Sequence, residues 1–364
     1  MALADTRPPA HPRRIPQAGE PAPFFAAPTG SIERYHIDVA GGRWMVLMLF
    51  GSLGYAASLD ALVLALRDRD LFNDIDAAFF GVSIDPADRD GRGIVNSEPG
   101  VRFFWDFDGA IGRLYGVADD TGLKPAIFLI DPALRIVMAE PIEHTAAVMD
   151  RLKAEVARGA GAPNAPVLLM PRVFEPDLCQ ILIRYFEEST SEASGFTQDV
   201  DGRTVYRTNT QIKRRRDVTI SHDAMVDAVR MRLEARLFPM IKRFFGWQAT
   251  HIERYLICRY DADDRGFFMA HRDDVTRGTA HRKFAVSINL NAEDYDGGDL
   301  RFPEFGRHTY RPSTGGAAVF CCSMLHEATP VTRGQRYVVV PFLYDDEGAR
   351  LREANLGFIG EPAA

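Results

Sequence analysis

The stretch Arg158-Gly-Ala-Gly-Ala-Pro-Asn-Ala-Pro166 divides the chain into two parts with different apolar patterns. Gly and Pro at that density punctuate backbone structure, so 158–166 reads as a linker. Before it, apolar runs at 44–50, 77–84 and 126–131 alternate with helical patterns near 58–70 and 144–156. That alternation predicts a βαβ-type α/β domain over 17–157. After it, helical patterns at 175–188 and 223–245 give way to short strand-like runs at 251–260, 284–291, 298–302, 317–323 and 337–344. Short strands broken by Gly, Pro and Asp turns predict a mainly β barrel or jelly roll over 167–364. A chain of 364 residues is long for one core, which agrees with two domains.

Composition narrows the partners. A formal charge of -7 gives no global attraction to nucleic acid or an anionic membrane, so neither is expected. Residues 1–16 are rich in Pro and Arg, lack the apolar core of a secretory signal, and read as a flexible tail. The longest apolar run, 44–57, is too short and too interrupted to cross a bilayer, so the chain should be soluble. Four cysteines, Cys179, Cys258, Cys321 and Cys322, show neither metal-ligand spacing nor a disulfide framework, which favours a reducing cytoplasm. The adjacent Cys321-Cys322 pair reads as barrel packing.

The chemistry concentrates in four residues. His271 and Asp273 stand as His-x-Asp, with His326 and Arg336 further on. Alternate residues of a strand share a face, so His271 and Asp273 can point to one place, and His326 can complete the set. Two imidazoles and a carboxylate cap one face of Fe(II) and leave about three positions open. Asp274 competes with Asp273 as the carboxylate, while His281 and His308 read as structural or solvated. Arg336 shares a strand face with Val338, Val340 and Phe342, and a guanidinium buried there needs an anion. Arg333, in the turn Thr332-Arg-Gly-Gln, reads as solvent-facing.

Arg259-Tyr260, Phe268-Met-Ala-His271-Arg-Asp273, Asp296-Gly-Gly-Asp-Leu300, Gly315-Gly-Ala-Ala-Val-Phe320 and His326-Glu-Ala-Thr-Pro-Val-Thr-Arg-Gly-Gln-Arg336 resemble the Fe(II)- and 2-oxoglutarate-dependent oxygenases of the prolyl 4-hydroxylase type. The resemblance covers roughly 170–345 and implies a double-stranded β-helix domain. It assigns His271, Asp273 and His326 to iron, and Arg336 to the C5 carboxylate of 2-oxoglutarate. It also assigns Tyr260 to the co-substrate, against a plain core role. O2 is the second co-substrate, and the resemblance leaves room for ascorbate. Asn289 stands where related enzymes often keep a tyrosine, so the second C5 partner is open. The implied reaction hydroxylates an unactivated C–H and releases succinate and CO2. A prolyl residue of a protein is the first expected target, and a free amino acid or small metabolite the second. A silent metal- and 2-oxoglutarate-binding sensor or scaffold is the alternative of another class. An iron-dependent cupin-like enzyme without 2-oxoglutarate is disfavoured by Arg336. Lys213-Arg-Arg-Arg216 reads as a solvated face or salt-bridge patch, with recognition of an acidic substrate as the sharper reading.

Gly19-Glu-Pro-Ala-Pro-Phe-Phe25, the 44–50 strand, Gly81-Val-Ser-Ile-Asp85 and Phe128-Leu-Ile-Asp131 resemble the peroxiredoxin branch of the thioredoxin fold. That family places its peroxidatic cysteine in a loop which reads here Gly51-Ser-Leu-Gly-Tyr-Ala-Ala-Ser58. Serine has no comparable route to an attacking anion without a dedicated base, so thiol peroxidase activity is excluded. Ser58 is predicted as a helix N-cap. Pro125 is predicted either as the cis proline of such folds or as a strand-edge proline. The domain is expected to be a non-catalytic scaffold offering a protein contact.

Overall fold

A computed structural model of the chain describes residues 14–30, 32–159, 164–200 and 202–360. The expected tail over 1–13 and the linker core over 160–163 lie outside the described residues. The chain folds as two compact units. One comprises 1–163 with the short segment 303–306, and the other comprises 164–302 with 307–364.

The first unit is built on a five-stranded sheet. Its strands run in the order Val101–Trp105, Ala77–Ser83, Trp44–Gly51, Ala126–Ile130 and Ile136–Pro141. The first three are mutually parallel and the last two join antiparallel, a thioredoxin-like arrangement. Met45, Leu47 and Leu49 enter one core cluster, whereas Val46, Met48 and Phe50 enter another on the opposite face. A strand buried on both faces needs a continuous apolar run, and 44–50 supplies it. The helices Ala56–Ala65 and Thr145–Arg158 cover the second cluster through Ala61, Leu62, Val148 and Leu152.

Two local expectations change. The first helix begins at Ala56 with Tyr55 at its cap, so Ser58 lies inside the first turn and its hydroxyl donates to Phe50 O at 2.7 Å. The bond before Pro125 is not cis. Among the described residues the cis bond is Glu98-Pro99, and Pro125 simply precedes the Ala126–Ile130 strand.

The second unit is a jelly roll. Its larger sheet carries, in order, Leu168–Met170, Ala317–Cys321, Phe284–Asn289, Gln335–Val339, Leu256–Asp261, Arg216–Thr219 and Glu192–Ala193, with Phe342–Tyr344 and His251–Glu253 pairing alongside. The smaller sheet orders Lys213–Arg214, Phe267–His271, His326–Ala328, Leu300–Arg301 and Thr309–Tyr310. Helix Pro176–Glu188 packs Leu178, Leu182 and Phe186 into a core with Val218, Ile257, Ile288, Val319 and Val339. The opposite faces of those strands give Leu256, Cys258, Tyr260 and Val338 to an interior cluster shared with Phe268 and Ala328 of the smaller sheet. The candidate site lies in this interior. The expected 223–245 helix is divided by a π-helical segment, Leu233–Leu237. No helix of the described residues is long and apolar enough to cross a membrane.

Candidate metal centre

His271 ends one strand of the smaller sheet and His326 begins its neighbour, and the two are direct antiparallel partners. Their rings lie 4.3 Å apart between centroids. Asp273 is not on the strand. The chain bends after His271, and the Asp273 amide donates to Cys322 O at 2.9 Å, which turns the carboxylate back toward both imidazoles. His271 Nε2 lies 3.5 Å from Asp273 Oδ1, and His326 Nε2 lies 3.2 Å from Asp273 Oδ2. One ligand atom from each of the three falls within 4.8 Å of the others. Side-chain exposure decreases from 21% at His271 to 12% at Asp273 and 7% at His326, so access comes from the His271 side.

Both imidazoles are oriented by the backbone. His271 Nδ1 meets Met269 O at 2.8 Å and His326 Nδ1 meets Met324 O at 3.0 Å. A carbonyl oxygen only accepts, so each Nδ1 carries the proton and each Nε2 keeps a lone pair directed at the centre. Burial, followed by repulsion from His326, pushes the His271 pKa down to about 4. Burial alone would raise the Asp273 carboxyl, but the two imidazoles hold it well below the usual range. His271 thus stands as a neutral imidazole and Asp273 as an anion at neutral pH, the forms that ligate a metal. Asp274 lies outside this cluster. His281 is buried against Glu253 at 2.8 Å, and His308 is exposed.

Arg336 is 3% exposed, pairs across the sheet with Tyr260, and places its guanidinium 5.2 Å from the Tyr260 ring centroid. Its Nη2 donates to Ser287 Oγ at 3.1 Å, while its Nε is buried with no acceptor. Among the described residues no carboxylate pairs with it. Asn289 Oδ1 accepts from Arg336 Nη2 at 3.5 Å, while its Nδ2 donates to Pro312 O at 2.7 Å. Arg215 Nη1 donates to the Tyr260 hydroxyl at 3.4 Å. Arg333 is exposed and paired with Asp296 at 2.6 Å.

Tyr295 was not singled out by the sequence. It is 1% exposed, its hydroxyl is buried without a partner, and it faces Arg336. Burial raises its pKa, and the neighbouring guanidinium opposes the rise. Gly298 makes the approach feasible, because at φ +65° a Cβ there would lie 2.7 Å from Val331 and 3.2 Å from Arg336 Cδ. A large aromatic between two exposed acidic residues, Asp294 and Asp296, was the available signal.

The basic run reads differently in the fold. Lys213 and Arg215 are buried at 6% and 8% exposure, while Arg214 and Arg216 turn outward to Asp264 O and Ser191. The strand period, rather than charge, sorts the run.

In the first unit, the 51–58 loop is tied down by side chains. Ser52 Oγ donates to Asp85 at 2.6 Å, and that carboxyl is held down to about 2 by Ser52, Arg92 and the Ala87 amide. Fully buried Asp88 accepts from Ser83 Oγ at 2.6 Å, from the Leu53 amide at 3.2 Å and from Arg92 at 2.5 Å. All four cysteines belong to the second unit and are free thiols.

No protein-family model matches the chain. It is 32% identical over 111 residues to procollagen-lysine,2-oxoglutarate 5-dioxygenase 1 of Mus musculus, covering 29% of this chain and 14% of that one. It is 37% identical over 96 residues to a PKHD-type hydroxylase of Paracoccus denitrificans, covering 24% of this chain and 41% of that one. The chain thus spans less than half the length of either relative. A solved bacterioferritin comigratory protein of Xanthomonas campestris, studied for alkyl peroxide reduction, superposes with a TM-score of 0.32 at 18% identity, covering 38% of this chain and 99% of that one. Over about a quarter of its length, the chain is homologous to hydroxylases of the 2-oxoglutarate-dependent and PKHD-type kinds.

Proposed function

We propose that the chain is an Fe(II)- and 2-oxoglutarate-dependent hydroxylase of an unactivated C–H bond. The observation that carries this reading is the convergence of His271, Asp273 and His326 within 4.8 Å, with both Nδ1 atoms already engaged by backbone carbonyls. The donor set fits Fe(II), which prefers imidazole and carboxylate ligands and here keeps an open face. When bound, the metal supplies the redox chemistry that couples oxidation of 2-oxoglutarate to succinate and CO2 with hydroxylation of the substrate.

The protein's own residues bind and orient. Arg336 Nε and Tyr295 Oη are buried donors without acceptors, and a carboxylate offers lone pairs for both. They form the proposed grip on the C5 carboxylate, with Ser287 steadying the guanidinium. Tyr260 supplies the aromatic surface beneath it. Asp273, as an anion, balances the metal's charge inside an apolar interior. A prolyl residue of a protein and a free amino acid or small metabolite are the candidate targets. The first unit is proposed as a non-catalytic scaffold with a protein contact, and the free thiols suit a cytoplasmic location. The test is oxygen-dependent succinate release from 2-oxoglutarate with Fe(II). Wild type should show it and His326→Ala should lose both iron and turnover; full turnover in the variant would overturn the assignment.

A further inference from the structure

The barrel interior carries more positive charge than the proposed co-substrate uses. Arg215 is paired with Asp217 at 2.7 Å, and Arg282 with Glu253 at 2.6 Å. Two cations are left over among the described residues. Lys213 donates only to Gly195 O at 2.7 Å and lies 4.3 Å over the Phe268 ring. Arg254 packs 4.5 Å over Phe342, and its Nε is buried with no acceptor. Neither has a carboxylate within ion-pair distance.

Lys213 is one aromatic ring away from the metal centre, and Arg254 is joined to it through Phe342 and Arg282. Phe268 stacks on the His271 imidazole with centroids 3.5 Å apart. Phe342 also carries Arg282, whose guanidinium reaches Asp273 O at 3.4 Å. Arg254 further lines a cavity of about 550 Å³ together with Tyr185, Tyr206, Asp217 and Leu256. Leu256 belongs to the same interior cluster as Tyr260 and Tyr295. The carboxylates that act on them through space, Asp217 on Lys213 and Glu253 on Arg254, are already paired with Arg215 and Arg282, and two buried cations without ion pairs of their own cost stability unless a further anion compensates them.

We propose that Lys213 and Arg254 receive a carboxylate of the substrate, and that the substrate is therefore a small carboxylate-bearing molecule rather than a segment within a protein chain. The assignment deepens the hydroxylase reading and rests on it for the word substrate. Depth favours the small molecule. Lys213 is 6% exposed inside the barrel, a depth that suits an acid entering whole, whereas a polypeptide crossing the mouth keeps its backbone outside. An incoming carboxylate also restores full protonation of Lys213, whose ammonium is disfavoured by burial and then by Arg215.

The experiment uses the full chain with Zn(II), a redox-silent stand-in for iron, and added 2-oxoglutarate. The probe is a small-molecule cell extract, offered untreated and after its carboxylates have been capped as methylamides, with retained masses read by native mass spectrometry. Wild type should retain a carboxylate-bearing mass that capping abolishes. Retention should decrease at least about thirtyfold in Lys213→Met and in Arg254→Gln, and recover in part in Lys213→Arg. Retention of Zn(II) and 2-oxoglutarate should be unchanged in all three, which separates recognition from misfolding. A retained mass indifferent to capping, such as a phosphate ester or neutral peptide, would overturn the proposal. So would undiminished retention by both variants, or no retention by wild type. Failure to hold Zn(II) and 2-oxoglutarate would instead refute the hydroxylase reading, and Lys213-dependent retention would then stand alone.

Discussion

The two units treat buried polar groups in opposite ways. In the first, Asp88 is fully buried and every contact is answered, by a serine, a backbone amide and an arginine. In the second, Arg336 and Tyr295 present buried donors that find no acceptor among the described residues. Arg254 Nε, His281 Nδ1, Tyr295 Oη and Arg336 Nε, all buried without a hydrogen-bond partner among the described residues, belong to the second unit. A closed network holds a loop still; an open one has room for a ligand. The loop that in related folds carries a reactive thiol is here closed, and the barrel interior is open.

That contrast is most sharply tested by removing one charge from each side. Arg336→Met should weaken 2-oxoglutarate by about thirtyfold or more while leaving metal affinity alone, and should raise the unfolding free energy because an uncompensated buried cation is gone. Calorimetric titration and urea unfolding of one sample read both, and a destabilised variant with normal 2-oxoglutarate affinity would reverse the argument. Asp88→Ala should do the opposite, costing about 3 kcal/mol of stability with turnover retained by the folded protein. Tyr295→Phe removes one donor and should weaken 2-oxoglutarate by only about fivefold to tenfold. An unchanged dissociation constant would remove Tyr295 from the grip.

Acid provides a gentler probe of the paired part of the barrel. Burial alone would raise the Asp217 carboxyl, but Arg215 holds it down to about 2, below its unfolded value near 3.8. A depressed carboxyl stabilises the fold above the unfolded pKa, so this contribution is present above about pH 4 and is lost as pH falls toward 2. Wild-type urea midpoints should therefore fall across that window more than those of Asp217→Asn. The smallest expected signal is none. Thiol-dependent peroxide consumption by the chain should equal the buffer blank, and measurable turnover would show the closed loop to be active after all.

Much of this architecture was legible in the sequence because period and spacing are local properties. The continuous run at 44–50 announced a strand buried on both faces, and His-x-Asp followed by His326 picked out three residues that the fold brings within 4.8 Å of one another. What escaped depends on distant partners. Lys213 and Arg215 read as surface charge until the sheet placed alternate residues inside. Tyr295 was passed over, since only the fold brings it to Arg336. Ser58 read as a cap because serine favours that position, but the helix starts two residues earlier and Phe50 O claims the hydroxyl. Asp273 was placed on a strand, whereas a bend fixed by Cys322 O directs it.

The pairing of His271 with His326 has a consequence for how the barrel assembles. The two imidazoles are opposite each other on neighbouring strands, and a slip of one residue would send one of them to the other face of the sheet. A misaligned barrel therefore cannot gather the three ligands, and a metal held by them would prevent the slip. Loading of a metal there would then act as a proofreading step in folding, rewarding the one register that unites the three ligands.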